Sequence, residues 1–351
     1  MIHFAMHERM APRWYAPAVP VLAVVVTAVL TLAIVLATGA DPIEAYRYLV
    51  FEPLATRFSF LEVLVSSTPL LLTGAAVAFA FRAGYWNIGA EGQLLCGAIA
   101  AAWIGTAVNA LPRPLALLLM IGGGMLAGAG WAFVPALLRI RFGIDEVVTT
   151  LLLNPVAVLL VAGLLNGPWR DPVSGFPESE RIAASAEFPQ MVDRSRLHLG
   201  FFLALLVIAI LWAVAAKTPV GLKLRAVGSA PRGAEFAGIH VSRMLLGAAL
   251  TSGAIAGVAG VSEVAGIQFR LTEGISPGYG YTGIVVATLA ALSLVGVLAS
   301  ALFLALINVG ADSVSRALDV PSQLGLVVQA TLLLVTVTLL VFRRYRLKRI
   351  R

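Results

Sequence analysis

The sequence predicts an all-α, polytopic membrane protein, on three observations. Of its 351 residues, 60% are hydrophobic and 12% are charged, and the mean hydropathy is +0.93. Soluble domains carry about a quarter charged residues. The apolar residues form solid blocks of about 20, the length that crosses a ~30 Å hydrocarbon core as a helix. They lack the alternation of apolar and polar residues that is typical of the strands of a membrane β-barrel. Composition therefore excludes a cytosolic protein, a disordered chain and a disulfide-rich secreted domain.

Nine apolar blocks predict about ten transmembrane helices, some of them short or broken, in one membrane domain over 1–351. The block 281–315 is too long for one crossing and contains several glycines. We therefore expect it to split into two short helices that meet near Ser293–Gly296. The other eight predicted spans lie near 18–38, 60–81, 88–109, 114–137, 146–166, 198–216, 244–267 and 323–342.

The distribution of basic residues predicts that both termini are cytoplasmic. With the N-terminus inside, most of the 25 Lys and Arg residues fall in inner loops and tails, as the positive-inside rule requires. The N-terminal tail 1–17 contributes Arg9 and Arg13. We expect the basic tail 343–351 to contact anionic lipid headgroups rather than nucleic acid.

Two outer segments have distinct patterns. Residues 42–54 place apolar side chains on one helical face, which predicts an interfacial helix. The loop 167–197 is rich in proline and acidic residues, which argues against one continuous helix. It either caps the pathway or receives a soluble delivery protein.

Several kinds of catalytic site are missing from the sequence. There is no Walker A loop to bind phosphates, and no histidines stand at metal-ligand spacing. Cys96 is the single cysteine, and no Ser/His/Asp set is visible. We therefore expect a transport component without a cofactor or metal of its own. A membrane-embedded enzyme would need a reactive constellation that the sequence does not show.

The densest polar cluster within a span is the segment NIGAEGQ at 87–93. It places Asn87, Glu91 and Gln93 among glycines, and ionisable groups in spans often mark function. One interpretation is a helix that starts at membrane depth with free N–H groups facing a cavity. The other is an interfacial helix start, in which Glu91 favours the positive end of the helix dipole. The two interpretations are compatible.

Polar residues in later spans leave similar alternatives. Asn154 precedes Pro155 within the fifth span. It marks either a kink whose free backbone groups bond to neighbouring helices or a kink that lines the pathway. Glu263 and Gln268 lie late in the seventh span, where they either face the pathway or make structural contacts.

Other polar and small residues favour structural roles. Glu62 lies near the outer edge of span two, where we expect a solvated carboxylate. Asn308 and Gln329 are expected to form interhelical hydrogen bonds. The Gly-x-x-x-Gly pairs that begin at Gly124 and Gly253 predict close helix packing.

The inner loop 217–243 predicts a short cytoplasmic helix. Ser229 is expected to cap it, Pro231 to occupy an early position, Glu235 to support its first turns and Gly238 to end it. So short a helix is marginal in water. It needs a partner surface such as a motor subunit, unless the segment is simply a solvated basic loop.

Several segments, taken together, resemble one family. The chain from about 60 to 350 is similar to permeases of nucleoside-type ABC importers, within the wider group that serves ribose and branched-chain amino acids. The similarity is carried in order by FRAGYWNIGAEGQ (81–93), RFGIDEVVTTLLLN (141–154), LNGPWRDP (165–172), GLKLRAVGSAPRGAEFAGI (221–239), SGAIAGVAGVSEVAGI (252–267) and RLTEGISPGYGYTGIVVA (270–287).

The resemblance implies partners and site residues. The partners are a second permease, two cytoplasmic ABC ATPase subunits that bind ATP and Mg, and an extracytoplasmic substrate-binding protein. The inner loop would hold the coupling helix, with Arg225, Ser229, Pro231, Glu235 and Gly238 docking on the ATPase. The resemblance, together with the polarity of the spans, suggests a substrate pathway formed by Trp86, Asn87, Glu91, Gln93, Asn154, Glu263 and Gln268.

One segment departs from the family pattern. After residue 287 such permeases commonly have a polar turn with Arg and Pro, whereas this chain reads TLAALSLVGVL.

We therefore predict a permease subunit in the inner membrane that moves nucleosides by ATP-driven alternating access. A nucleoside is polar but uncharged at neutral pH, so Asn87, Gln93 and Asn154 suit it as hydrogen-bonding groups and Trp86 as a stacking surface. Two alternatives stay open. One is an ABC permease for sugars such as ribose. The other is an ion-coupled secondary transporter that uses Glu91 or Glu263 as its proton or cation site.

Overall fold

The computed structural model describes residues 3–8, 15–321 and 323–350. The predictions that involve Arg9, Arg13 and Arg351 lie outside these residues. The elements are β1 (His3–Glu8), α1 (Tyr15–Ala37), α2 (Pro42–Val50), α3 (Glu52–Ala55), α4 (Arg57–Arg82), α5 (Ala90–Ala107), α6 (Arg113–Phe142), α7 (Glu146–Leu165), a 3₁₀ helix (Ala184–Ala186), α8 (Leu199–Lys217), α9 (Pro219–Ser229), α10 (Pro231–Phe236), α11 (Val241–Glu263), a π turn (Val264–Gln268), α12 (Tyr279–Leu289), α13 (Leu294–Leu318), α14 (Leu324–Arg344) and β2 (Tyr345–Ile350).

The predicted helical membrane fold is confirmed. Each of the ten predicted spans corresponds to one helix, namely α1, α4 to α8 and α11 to α14. Within the described residues, six of them are long and apolar enough to cross a membrane. The apolar stretches of α1, α12 and α14 are shorter, and α5 opens with the polar turn that contains Glu91 and Gln93.

Helix α4 forms the centre of the bundle. Between Val63 and Phe81 it has no charged residue, and nearly all of these side chains are buried. It packs against α8, α11, α12 and α13. A helix without a polar face must be covered all round, so the other helices surround it. α4 therefore connects the two faces of the protein through its interior.

Glycines let α5, α6 and α11 approach backbone to backbone. A Cβ on Gly128 would lie 2.2 Å from the carbonyl oxygen of Gly253, and one on Gly257 would lie 2.1 Å from that of Gly124. A Cβ on Gly97 would lie 2.2 Å from the carbonyl oxygen of Gly257. The predicted close packing of the Gly-x-x-x-Gly pairs is confirmed.

The connections define two faces. The loop face carries the segments 166–198 and 269–278, which are joined by an ion pair between Glu178 and Arg270 and by a hydrogen bond from Ser179 N–H to the Leu271 carbonyl oxygen (2.9 Å). The segment 166–198 contains a 3₁₀ helix and otherwise no helix among its described residues, as its prolines predicted.

The tail face lies at the opposite end of the bundle. It carries α9, α10 and the antiparallel pair of β1 and β2. This pairing brings the two ends of the described chain together on one face, in agreement with an even number of crossings.

The helix predicted for 42–54 is present, but as two short helices, α2 and α3, and its position at the membrane interface stays a prediction. Asp41 caps α2, because its side chain accepts a hydrogen bond from the Ile43 N–H at 2.7 Å. Ile43 and Phe51 are exposed, while Leu49 is buried. The apolar outer surface fits an element that lies against the edge of the bundle.

The block 281–315 is divided where predicted. Ser293 caps α13 by accepting from the Gly296 N–H at 3.3 Å. Ala291 and Leu292, in the turn before it, have left-handed φ values of 48° and 61°. The prediction that both helices are short is wrong for α13, which has 25 residues. It runs on through Gly310, which allows close contact with the backbone of Leu49.

Candidate functional site

The predicted polar cluster lies inside the bundle, where α5 begins. The Asn87 Nδ2 donates to Ser252 Oγ at 2.9 Å. Ser252 stands eleven residues into α11, about 16 Å along that helix. Asn87 and Gln93 also exchange two hydrogen bonds of 2.9 and 3.0 Å. All three side chains are buried, so α5 starts at depth in the membrane-spanning region.

Asn154 fastens α7 to the start of α5. Its Oδ1 accepts from the Gly92 N–H and its Nδ2 donates to the Ile88 carbonyl oxygen, both at 2.9 Å. The side chain is fully buried. The amide therefore satisfies two backbone groups that the irregular start of α5 leaves free.

Glu91 joins two helices that begin inside the bundle. Its Oε2 accepts from the Gly280 N–H at 2.7 Å, in the first turn of α12. A Cβ on Gly280 would lie 2.1 Å from the Glu91 backbone nitrogen. The carboxylate thus lies at the N-terminal ends of both α5 and α12, where helix dipoles stabilise negative charge.

These contacts support a start of α5 inside the bundle and a carboxylate at a helix end. The expectation of free N–H groups that face a cavity is wrong for Gly89 and Gly92, whose N–H groups donate to the side chains of Asn87 and Asn154. Among the described residues, the side chains of Asn87, Glu91, Gln93 and Asn154 find their hydrogen-bond partners within the protein. Trp86 is half exposed, and its ring centroid lies 4.6 Å from that of Phe81. The role of these residues in a pathway stays a prediction.

A cavity of about 700 Å³ lies on the loop-face side of the bundle. Of the predicted pathway residues it contains two, Glu263 and Gln268, from the end of α11 and the π turn. Its volume is within the range of small-molecule sites, about 300–1,000 Å³. Its other walls are Phe58, Glu62, Val65, Ser66, Arg196, Ile267, Gly274, Ile275, Pro277, Tyr279, Asn308, Val309, Asp312 and Arg316.

The cavity contains charges of both signs. Glu62 was expected to be solvated, but it forms an ion pair with Arg196 and its side chain is 12% exposed. The hydrogen bond with Glu62 raises the pKa of Arg196 above its ordinary value, so the guanidinium stays charged. Glu263 is buried and forms no ion pair with any residue of the described chain. Carboxylates and amides converge here on a space of ligand size.

Helix α13 supplies polar groups that the sequence reasoning did not assign to the site. Asn308, Asp312 and Arg316 recur at every fourth residue, so they share one face of the helix and line the cavity. That spacing within an apolar span was the signal that could have found them. Asn308 also accepts a hydrogen bond from Gln329, which confirms the prediction that these residues form interhelical hydrogen bonds.

The tail face carries a helical hairpin formed by α9 and α10. The sequence predicted α10 but missed α9. Pro231 is the first residue of α10, and Gly238, with φ of 80°, follows its end, as expected. The predicted cap is wrong: Ser229 is the last residue of α9, and Ala230 holds the N-cap position without a side-chain hydrogen bond.

The hairpin is anchored on one side and exposed on the other. A Cβ on Gly228 would lie 2.2 Å from the Arg82 carbonyl oxygen, at the end of α4. Phe236 is 97% exposed at the tip of α10, and no sequence signal had singled it out. The five predicted docking residues are all exposed, namely Arg225, Ser229, Pro231, Glu235 and Gly238.

Comparison with known proteins connects this architecture to transport. The family described as the permease component of the branched-chain amino acid transport system matches residues 59–337. A glucose ABC transporter permease of Haloferax volcanii is 37% identical over 97% of this chain and 92% of its own length. A guanosine ABC transporter permease of Bacillus subtilis is 34% identical over 90% of this chain and 91% of its own.

A nucleoside ABC transporter permease of Lactococcus lactis is 31% identical over 90% of this chain and 89% of its own length. No solved structure matches the chain significantly. ABC permeases are transport components and not enzymes. The family match covers most of the chain and includes the start of α5, the cavity and the hairpin, so the chain belongs to the family of branched-chain amino acid transport system permease components and is a multi-pass ABC permease.

Proposed function

We propose that this chain is the transmembrane subunit of an ATP-driven importer of nucleosides. The cavity on the loop face carries the proposal, because it places amides, carboxylates and Tyr279 around a space of ligand size. Such groups hydrogen-bond the hydroxyls of an uncharged solute, and aromatic rings stack on a base. The guanosine and nucleoside permeases among the relatives support the assignment.

In this proposal the loop face is extracytoplasmic and receives solute from a substrate-binding protein. Glu263 and Gln268 contact the solute within the cavity. Asn87, Glu91, Gln93, Asn154 and Trp86 belong to the part of the route closer to the tail face. There the start of α5 forms the next barrier that the solute meets.

The hairpin of α9 and α10 is the proposed contact with the ATPase. Gly228 packs on the end of α4 at Arg82, and Glu62, near the other end of α4, lines the cavity. A displacement of the hairpin is therefore transmitted along α4 to the solute site. ATP and Mg would bind to the ATPase subunits, and a second permease chain would complete the route.

Substrate class is tested by competition. Membrane vesicles that contain the complete transporter take up labelled guanosine, and unlabelled nucleosides or glucose are added in excess. We expect nucleosides to inhibit uptake and glucose to leave it unchanged. Uptake of labelled glucose but not of labelled guanosine by the same vesicles would replace the nucleoside assignment with a sugar permease, which the Haloferax relative favours.

The energy source is tested in the same vesicles. The proposal predicts that ATP depletion abolishes uptake and that collapse of the ion gradients does not. Glu263 is a buried carboxylate with no ion pair in the described part of the chain, the observation that favours an ion-coupled transporter. If Glu263 binds a coupling ion, uptake follows the gradient and survives ATP depletion.

A further inference from the structure

The seventh span ends in an irregular turn. The last turn of α11 passes into the π turn, where the Phe269 N–H donates to the Val264 carbonyl oxygen at 2.9 Å, five residues back. Phe269 itself has a left-handed φ of 57°. π turns inside α-helices are rare and occur frequently at functional sites. This π turn forms part of the wall of the cavity, through Ile267 and Gln268.

The π turn determines which side chains face the cavity. In a regular α-helix, residues five apart lie about 140° apart around the axis. Glu263 and Gln268 are five apart, yet both line the same cavity. The wider turn takes up one additional residue, which returns Gln268 to the side of Glu263. Without it, the amide would turn away from the carboxylate.

The ring of His198 packs against this turn. A Cβ on Gly266 would lie 2.5 Å from Cε1 and from Nδ1 of His198, and a Cβ on Gly200 would lie 2.6 Å from Cε1. The ring is therefore wedged between the start of α8 and the π turn. It is 1% exposed, and its Nδ1 accepts from the Gly200 N–H at 3.1 Å.

The contact with the π turn is one of shape. The His198 Nε2 has no hydrogen-bond partner among the described residues, so the ring does not hold the turn by a bond from that atom. Gly266 leaves room for the ring, and the ring fills the space above the turn. His198 does not line the cavity itself.

We propose that His198 is a positioning residue for the solute cavity. Its ring, seated on Gly266, holds the π turn that keeps Gln268 on the cavity side of the seventh span. The inference rests on the proposed function only in assigning the cavity to the solute, because the geometry of the turn can be measured without transport.

Thiol labelling tests the proposal directly. Cys96 is the single cysteine, so Cys96→Ala gives a cysteine-free background into which Gln268→Cys is introduced. A membrane-impermeant maleimide is applied to intact cells. We expect rapid labelling with His198 present and a rate about tenfold lower with His198→Ala, the change that corresponds to about 1.4 kcal/mol. Ser66→Cys, on the α4 wall of the same cavity, should be labelled equally in both backgrounds.

Two further variants separate positioning from folding. His198→Asn keeps an acceptor for the Gly200 N–H, since asparagine is a good N-cap, but its side chain is too short to fill the space above Gly266. It should lower the labelling of Gln268→Cys as His198→Ala does. Gly266→Ala should do the same, whereas Gly247→Ala, with open space around its Cβ position, should not.

Equal labelling of Gln268→Cys in the His198, His198→Ala and His198→Asn chains would overturn the proposal. So would labelling of Ser66→Cys alone when His198 is present, because Gln268 would then not face the cavity. If neither cysteine reacts, the cavity is closed to the outside, and both the proposal and the assignment of the solute site fail.

Discussion

Single glycines decide how closely the helices of this protein approach. At Gly97, Gly128, Gly253 and Gly257 a methyl group would overlap the backbone of the neighbouring helix. Lipid offers little hydrophobic drive for helices to associate, so close van der Waals packing of small residues supplies much of the stability. A glycine with open space around it makes no such contribution.

Two substitutions in the same helix test this difference. Gly257→Ala forces α6 and α11 apart, and we expect a loss of about 1–3 kcal/mol in stability. Gly247→Ala meets nothing within 4 Å and should be neutral or stabilising by up to about 1 kcal/mol, because alanine favours the helix. Thermal unfolding in detergent compares the two, and equal melting temperatures would contradict the packing account.

Buried amides act as connections between helices. Asn154 satisfies the Gly92 N–H and the Ile88 carbonyl oxygen. Asn154→Ala leaves both groups unpaired, at a cost of about 1–3 kcal/mol for each group. The matched control is Asn109→Ala, since Asn109 is exposed and bonds only the Thr106 carbonyl oxygen. A melting temperature equally unchanged in both variants would show that Asn154 does not stabilise the fold.

At the scale of the elements, the turn between α12 and α13 is strained. Ala291 is exposed and has a φ of 48°, a conformation that costs about 1–2 kcal/mol for residues with a Cβ. Ala291→Gly should therefore raise the melting temperature. Ala290→Gly is the control, because its φ of −69° is ordinary and glycine gains nothing there. A lower melting temperature for Ala291→Gly would contradict the strain.

The hairpin of α9 and α10 is the element that we expect to contact the ATPase. Phe236→Ala should abolish ATP-driven uptake, because it removes the most exposed large side chain at the tip of α10. Glu235→Ala should reduce uptake as well, while the binding protein still holds its ligand. Leu126→Ala is the control and should transport normally, because Leu126 is 76% exposed midway along α6, away from both the hairpin and the loop face. Normal uptake by Phe236→Ala would remove the hairpin from the coupling contact.

At the scale of the whole molecule, the spans could be predicted because hydrophobic length and helix formation are set by the bilayer. The glycine contacts and the Ser293 break followed from local residue patterns. The cavity did not, because Glu62, Arg196 and Asp312 come from distant segments and meet only after folding. Gln268 was chosen from its polarity, yet its place beside Glu263 depends on a π turn that helical periodicity does not predict.

The central claim is that this chain provides a gated route whose opening is driven by ATP hydrolysis on partner subunits. Proteoliposomes that contain the permease with its ATPase and binding protein test it, with labelled nucleoside uptake measured against ATP hydrolysis. We expect uptake that requires ATP and the ATPase and that stops when either is omitted. Sustained uptake by the permease alone, with no ATP present, would contradict the account.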